Sequence, residues 1–151
     1  MNVILVKNNN NYDIIAEYTP RNPENLLVLN QAFESGLPVI GMAVVGDPSV
    51  VRQQKITATY GSTWDGTSFS GGKDSKALEA TEEQLDSFDL YVFLSNNVVV
   101  GRIGILHENP QVEMYRMAFQ SEVIIVKVPD HQNVYAGETY KWNGTEFLAP
   151  E

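Results

Sequence analysis

The sequence predicts a strand-rich α+β fold: two related copies of a β-hairpin/helix/β-hairpin unit, joined by a short, partly helical linker. Three observations carry this expectation. Trp64-Asp65-Gly66-Thr67-Ser68-Phe69 returns as Trp142-Asn143-Gly144-Thr145-Glu146-Phe147. Asn22-Pro23, Ala32-Phe33-Glu34-Ser35 and an apolar run over residues 37–45 return in the same order as Asn109-Pro110, Ala118-Phe119-Gln120-Ser121 and a run over 123–128. Val3-Ile4-Leu5-Val6, an Asn-rich turn (Asn8 to Asn11) and Tyr12-Asp13-Ile14-Ile15 match Tyr91-Val92-Phe93-Leu94, a Ser95-Asn96-Asn97 turn and Val98-Val99-Val100-Gly101. Ordered landmarks at a long period decide an architecture before any local assignment. The copies are residues 1–70 and 91–151, with 71–90 as linker. Matching landmarks draw closer toward the C-terminus, which places extra residues in the first copy, mostly between Ser49 and Thr57 as a loop insertion.

Strands are expected near 3–7, 12–18, 38–45, 54–60, 91–95, 98–105, 123–128 and 138–142, where β-branched and aromatic residues cluster between Asn, Gly and Pro. They would form two four-stranded halves. Residues 23–35 read as a helix: Pro23 suits the first turn, Leu26, Leu29 or Asn30 and Phe33 fall at helical spacing, and Gly36 can stop it. Residues 110–121 hold the same place in the second copy, with Met114, Met117 and Ala118 on one face as a core stripe. In the linker, Gly71-Gly72 breaks the strand, and Thr81 with Gln84 forms a capping-box pattern ahead of Leu85 and Phe88. Asp-Gly and Asn-Gly in the repeated hexapeptides predict two-residue type I′ turns. Trp64 would then face Thr67 and lie diagonal to Phe69, making each hairpin an aromatic clamp.

At 151 residues, two such units would each be marginal alone, so a shared core or an oligomer interface is expected, in one compact body. Apolar residues make up 43%, which excludes a disordered chain, and no apolar run approaches the roughly 20 residues that cross a bilayer. A soluble protein is expected, and Met1-Asn2-Val3 opens into a strand-like run without a secretory signal. Without cysteine there is neither a disulfide nor thiol chemistry. A net charge of −9, with Lys and Arg scattered singly, argues against nucleic acid. It suits a protein kept soluble at high local concentration, or one that docks on a basic surface.

Ser70-Gly71-Gly72-Lys73-Asp74-Ser75 resembles the SGGxDS phosphate loop of ATP pyrophosphatases. That loop works when a buried parallel strand aims backbone N–H groups and a helix N-terminus at the phosphate. Here a polar hairpin precedes it and a weak helix follows, so a flexible loop is expected. His107 and His131 do not make a zinc-protease pattern. Asp47 and Asp130, each beside a proline, suggest repeated turn chemistry rather than an acid–base pair. There is no GxSxG elbow, and the Asn run lacks the acidic ligands of a calcium loop. No catalytic, cofactor-binding or metal-ligating residue is assigned.

The succession over residues 91–101, the apolar strand after it and the closing Trp142-Asn143-Gly144-Thr145-Glu146-Phe147 near Pro150 resemble small tailed-bacteriophage proteins. In these a Tyr/Trp-Asp/Asn-Gly-Thr-x-Phe hairpin commonly ends a virion or tail-associated module. The likeness covers most of 91–151 and, through the repeat, 1–70. It implies a non-enzymatic structural protein of the virion, assembled in the host cytoplasm: a capsid decoration or tail accessory subunit that binds other virion proteins and self-associates. No cofactor, nucleic acid or membrane enters that expectation. Trp64, Phe69, Trp142 and Phe147 are the candidate partner-binding or hairpin-clamp residues. Two alternatives are an intracellular tail-fibre assembly factor and a glycan- or receptor-binding module in which Trp stacks on a sugar.

Overall fold

In the computed structural model, residues 2–8, 11–72, 80–120, 123–129, 134 and 140–148 are described. Among these residues ten strands form one sheet in the order β10-β9-β2-β1-β8-β3-β6-β7-β4-β5, and each of their pairings is antiparallel. The strands are β1 (Asn2–Asn8), β2 (Asn11–Tyr18), β3 (Val39–Ala43), β4 (Thr63–Trp64), β5 (Phe69–Ser70), β6 (Phe88–Ser95), β7 (Val98–Leu106), β8 (Val123–Lys127), β9 (Lys141–Trp142) and β10 (Phe147–Leu148). The helices are α1 (Pro23–Glu34), α2 (Pro48–Thr57), α3 (Glu82–Leu85) and α4 (Val112–Ala118).

Exchanging β1–β5 for β6–β10 and reading from the other end returns the same strand order. The axis of that exchange passes between β3 and β8, at the Ile40↔Ile124 pair. Even the irregularities match. The β1–β2 register shifts between Ile4 and Leu5, leaving Ile15 as the extra residue, and the β6–β7 register shifts between Phe93 and Leu94, leaving Val100. Such an extra residue is a β-bulge, which bends and twists its strand.

The expected pair of four-stranded halves is corrected to one continuous sheet in which the third strands are exchanged. β3, from the first half, pairs with β6 of the second, while β8 pairs with β1. The helices cross over too: α1 packs on β7 and α4 on β2. Fourteen buried residues from both halves form the largest core cluster, with Ile4, Phe93, Val123, Leu29 and Tyr115 among them.

The sheet curls. β2 and β7 are five strand spacings apart along it, roughly 24 Å if it were flat. Yet the Tyr18 ring on β2 meets the Phe93 ring of β6 at 4.6 Å, and the Tyr18 hydroxyl donates to the Arg102 carbonyl of β7 at 3.0 Å. The outer edges of β2 and β7 therefore face each other across a split. Among the described residues, β4 and the two residues before it bond β7 only as far as Val99, and β9 pairs with β2 at Tyr12 and Asp13, so the stretch of β7 beyond Val99 borders the split.

α1 follows its expected signals. Asn22 caps it by accepting from the Glu24 N–H, Pro23 opens it, and Gly36 at φ 75° ends it. Its buried residues are Leu29 and Ala32. In α4 the buried stripe is Val112, Tyr115 and Ala118; of the expected face Ala118 is buried and Met114 packs against the core, whereas Met117 is corrected to a surface position, 64% exposed. α3 carries the reciprocal capping box of Thr81 and Gln84. The loop insertion expected after Ser49 and the first part of the strand expected at 54–60 are corrected to α2, started by Asp47 as N-cap and Pro48; residues 58–60 lie after the helix, outside any strand. Asp130, His131, the Asn9-Asn10 turn, residues 138–139 and Lys73 to Ser75 lie outside the described residues.

Candidate functional site

The four aromatic residues singled out from sequence form two clamps, one at each end of the sheet. Trp64 stands directly opposite Phe69 and Trp142 directly opposite Phe147, which corrects the expected diagonal. Ring centroids are 4.5 and 4.7 Å apart, within the range where tilted aromatic pairs attract. Each Phe is buried and each Trp half-exposed. Trp64 and Phe69 close a cluster containing Leu90, Val92 and Val99; Trp142 and Phe147 close one containing Ile14, Val128 and Val134.

The expected type I′ turns are also corrected. That turn needs two residues at positive φ, whereas here only Gly66 and Gly144 have it, both at 99°. Each hairpin loop has four residues and is built around its first side chain. Asp65 Oδ1 accepts from the N–H groups of Thr67 and Ser68, both at 2.8 Å, and Asn143 Oδ1 accepts from Thr145 and Glu146, both at 2.8 Å. The Asp65 carboxyl is held below the usual carboxylate range by the Ser68 and Thr67 N–H groups. These oxygens are committed to the turn, so what each hairpin presents outward is the Trp ring together with the exposed loop residues, among them Thr67 and Ser68 in one and Thr145 and Glu146 in the other. A two-residue turn with both central residues at positive φ occurs instead at Asn96 (51°) and Asn97 (62°), between the paired Ser95 and Val98.

In the phosphate-loop-like run Gly71 is used for its backbone, at φ 70°, and Gly72 for packing. Ser62 Oγ lies 3.0 Å from the Gly71 carbonyl, and a Cβ on Gly72 would fall 2.6 Å from the Ser62 and Thr59 hydroxyl oxygens. The strand before them, β5, is a two-residue antiparallel edge strand.

Two further groups escaped the sequence reading because their members are far apart along the chain. Asp89 accepts from Arg116 Nε at 2.7 Å and faces His107 Nε2 at 2.8 Å, with Arg116 also reaching Glu113. Burial raises the Asp89 carboxyl, but Arg116 and His107 outweigh it and hold the group below its ordinary value. This cluster borders a hollow of about 280 Å³ with Tyr91 and Phe119. The second group lines the split between β2 and β7, a cleft of about 630 Å³ bordered by Arg21, Asn25, Tyr60, Arg102, Gly104 and Asn109 among others. Arg102 donates from Nη1 to the Ala58 carbonyl at 2.8 Å and from Nη2 to the Lys55 carbonyl at 3.2 Å, capping the C-terminal end of α2. Burial pushes its pKa down.

Among the described residues, no group of three or more His, Asp or Glu is placed to hold a metal ion, and no helix is long and apolar enough to cross a membrane. No protein-family model, curated protein or solved structure matches the chain.

Proposed function

We propose that the chain is a non-enzymatic bacteriophage structural protein, a capsid decoration or tail accessory subunit, that arose by internal duplication and bridges two equivalent surfaces of other virion proteins. One observation carries the reading: matching aromatic hairpins stand at opposite ends of a sheet whose strand order is unchanged by exchanging its halves. A subunit with the same element at both ends suits a particle, where one partner surface recurs in many copies. Half-exposed Trp is a frequent anchor in such contacts, and two linked weak contacts gain roughly 10²–10⁴ in avidity over either alone. The resemblance of the hairpin to phage modules supplies the setting.

The test is co-sedimentation of the purified protein with particles lacking it. Trp64→Ala and Trp142→Ala, checked for folding by circular dichroism, are compared with Thr67→Arg and Thr145→Arg, which change exposed loop positions and leave the clamps intact. Altering either hairpin should weaken binding by roughly 10²-fold, and altering both should abolish it. Binding that ignores both hairpins would remove the bridging role. If mass spectrometry of virions failed to find the protein, its place would shift to an intracellular assembly factor.

A further inference from the structure

The chain has four arginines. Two are committed to carboxylates: Arg52 grips Asp86 through two bonds of 2.7 Å, and Arg116 holds Asp89 and Glu113. The other two, Arg21 and Arg102, border the split between β2 and β7, and among the described residues neither has a carboxylate partner. A guanidinium has five N–H donors, and the two carbonyls of α2 engage only one on each Nη of Arg102.

Other donors converge on the same cleft. Asn109 spends its Oδ1 on the Gln111 N–H, which leaves its amide NH₂ to donate. Gly104 is exposed and lies two residues beyond Arg102, whose carbonyl points into the split. Strand alternation turns the Gly104 N–H the same way. Tyr60 and Asn25 complete the polar wall, while Ile103, Ile105 and Leu106 supply an apolar one. The cleft also lies where the two halves meet, with residues 17–25 on one side and 102–109 on the other. Ligand sites favour such positions, and the volume lies within the range of small-molecule pockets.

We propose that this cleft binds an organic monocarboxylate of small-molecule size, its carboxylate on Arg102 and Arg21 and its apolar body along Ile103 to Leu106. Arg suits a carboxylate because its planar fork can pair with both oxygens. The net charge of −9 works against a multiply charged anion such as phosphate.

The test is an NMR titration of the full ¹⁵N-labelled chain with sodium benzoate, benzamide and inorganic phosphate at constant ionic strength. Benzoate should give saturable shifts at the amides of Gly104, Tyr60 and Asn25. Benzamide, its neutral counterpart, should bind about tenfold more weakly or not at all, as expected when a charge-assisted bond is lost. Arg21→Gln, at an exposed position before α1, should weaken benzoate by a similar factor without altering the rest of the spectrum. Absence of saturation, equal binding of benzamide, shifts centred elsewhere or indifference to Arg21→Gln would each overturn the proposal. Phosphate binding more tightly than benzoate would overturn the monocarboxylate class.

Discussion

Gly101 and Ala16 hold equivalent places beside the two bulges, opposite Phe93 and Ile4 respectively, and the pairs are matched in size. A Cβ on Gly101 would fall 2.8 Å from Phe93 Cδ2, so the larger ring requires glycine, whereas Ile4 leaves room for alanine. Both Phe93 and Ile4 are fully buried. Gly101→Ala should therefore cost about 1–3 kcal/mol, the usual range for overpacking, and Phe93→Ile should relieve it. In urea unfolding, the double variant should be less destabilised than the sum of the singles by about 1 kcal/mol. Strict additivity would mean that the size match has no energetic meaning. The hairpins offer a second comparison, because Asp65 and Asn143 make the same two backbone bonds with different charge. The folded-state pKa of Asp65 is lowered, so its stabilisation is present above the unfolded value of about 3.9 and is lost as pH falls through the lower folded value. Asp65→Asn keeps an acceptor and removes the charge. The stability difference between wild type and this variant should be constant from neutral pH to about pH 5 and should change below about pH 4. A flat difference down to pH 3 would separate the carboxylate charge from the turn's stability.

The helices show where local signals suffice. Asn22-Pro23 and Asp47-Pro48 are the same start signal, a side-chain acceptor followed by a proline that needs no N–H, and both open helices of ten residues or more. The first was legible because apolar residues follow at helical spacing. The second was masked because its buried positions include Gln54 and Lys55, which break the apolar pattern, while Ile56 to Tyr60 carries β-branched and aromatic residues that read as strand. Those polar groups are satisfied by partners distant in sequence. Gln54 donates to the Thr67 carbonyl at 3.1 Å. The Lys55 ammonium donates to the carbonyls of Leu85 and Phe88 and lies 4.5 Å from the centre of the Phe88 ring. Arg102 completes the helix from β7. α2 is thus held by tertiary contacts that no window of the sequence displays. The aromatic clamps were legible in composition, since each Trp–Phe pair lies within six residues. Their register was not, because a four-residue loop built around Asp65 or Asn143 uses the same Asp-Gly or Asn-Gly pair as the two-residue turn, with positive φ at the Gly alone and the side chain bonded to the N–H groups that follow.

At the scale of the molecule, the order of landmarks in the sequence anticipates which elements exist, but nothing local encodes that β3 and β8 change places. Both strands are short apolar runs, Val39–Ala43 and Val123–Lys127, and either would suit the centre of any sheet. The exchange has a thermodynamic consequence. With only residues 1–72, β3 would lose both of its neighbours, β1 would lose β8, and α1 would lose β7 beneath it. What remains is chiefly the β1–β2 hairpin, and an isolated two-stranded hairpin is marginal in water. The fragment 80–151 is left in the matching position. Neither fragment should fold as a monomer, and an equimolar mixture should regain the dispersed NMR spectrum and cooperative unfolding of the whole chain. Under the proposed duplication, 1–72 at high concentration has a second route, because two copies can exchange β3 with each other as the halves now do. Its folding should then depend on concentration, with sedimentation showing a dimer wherever circular dichroism shows structure. A fragment that folds as a monomer would show that each half can seat its own third strand, making the exchange dispensable to folding.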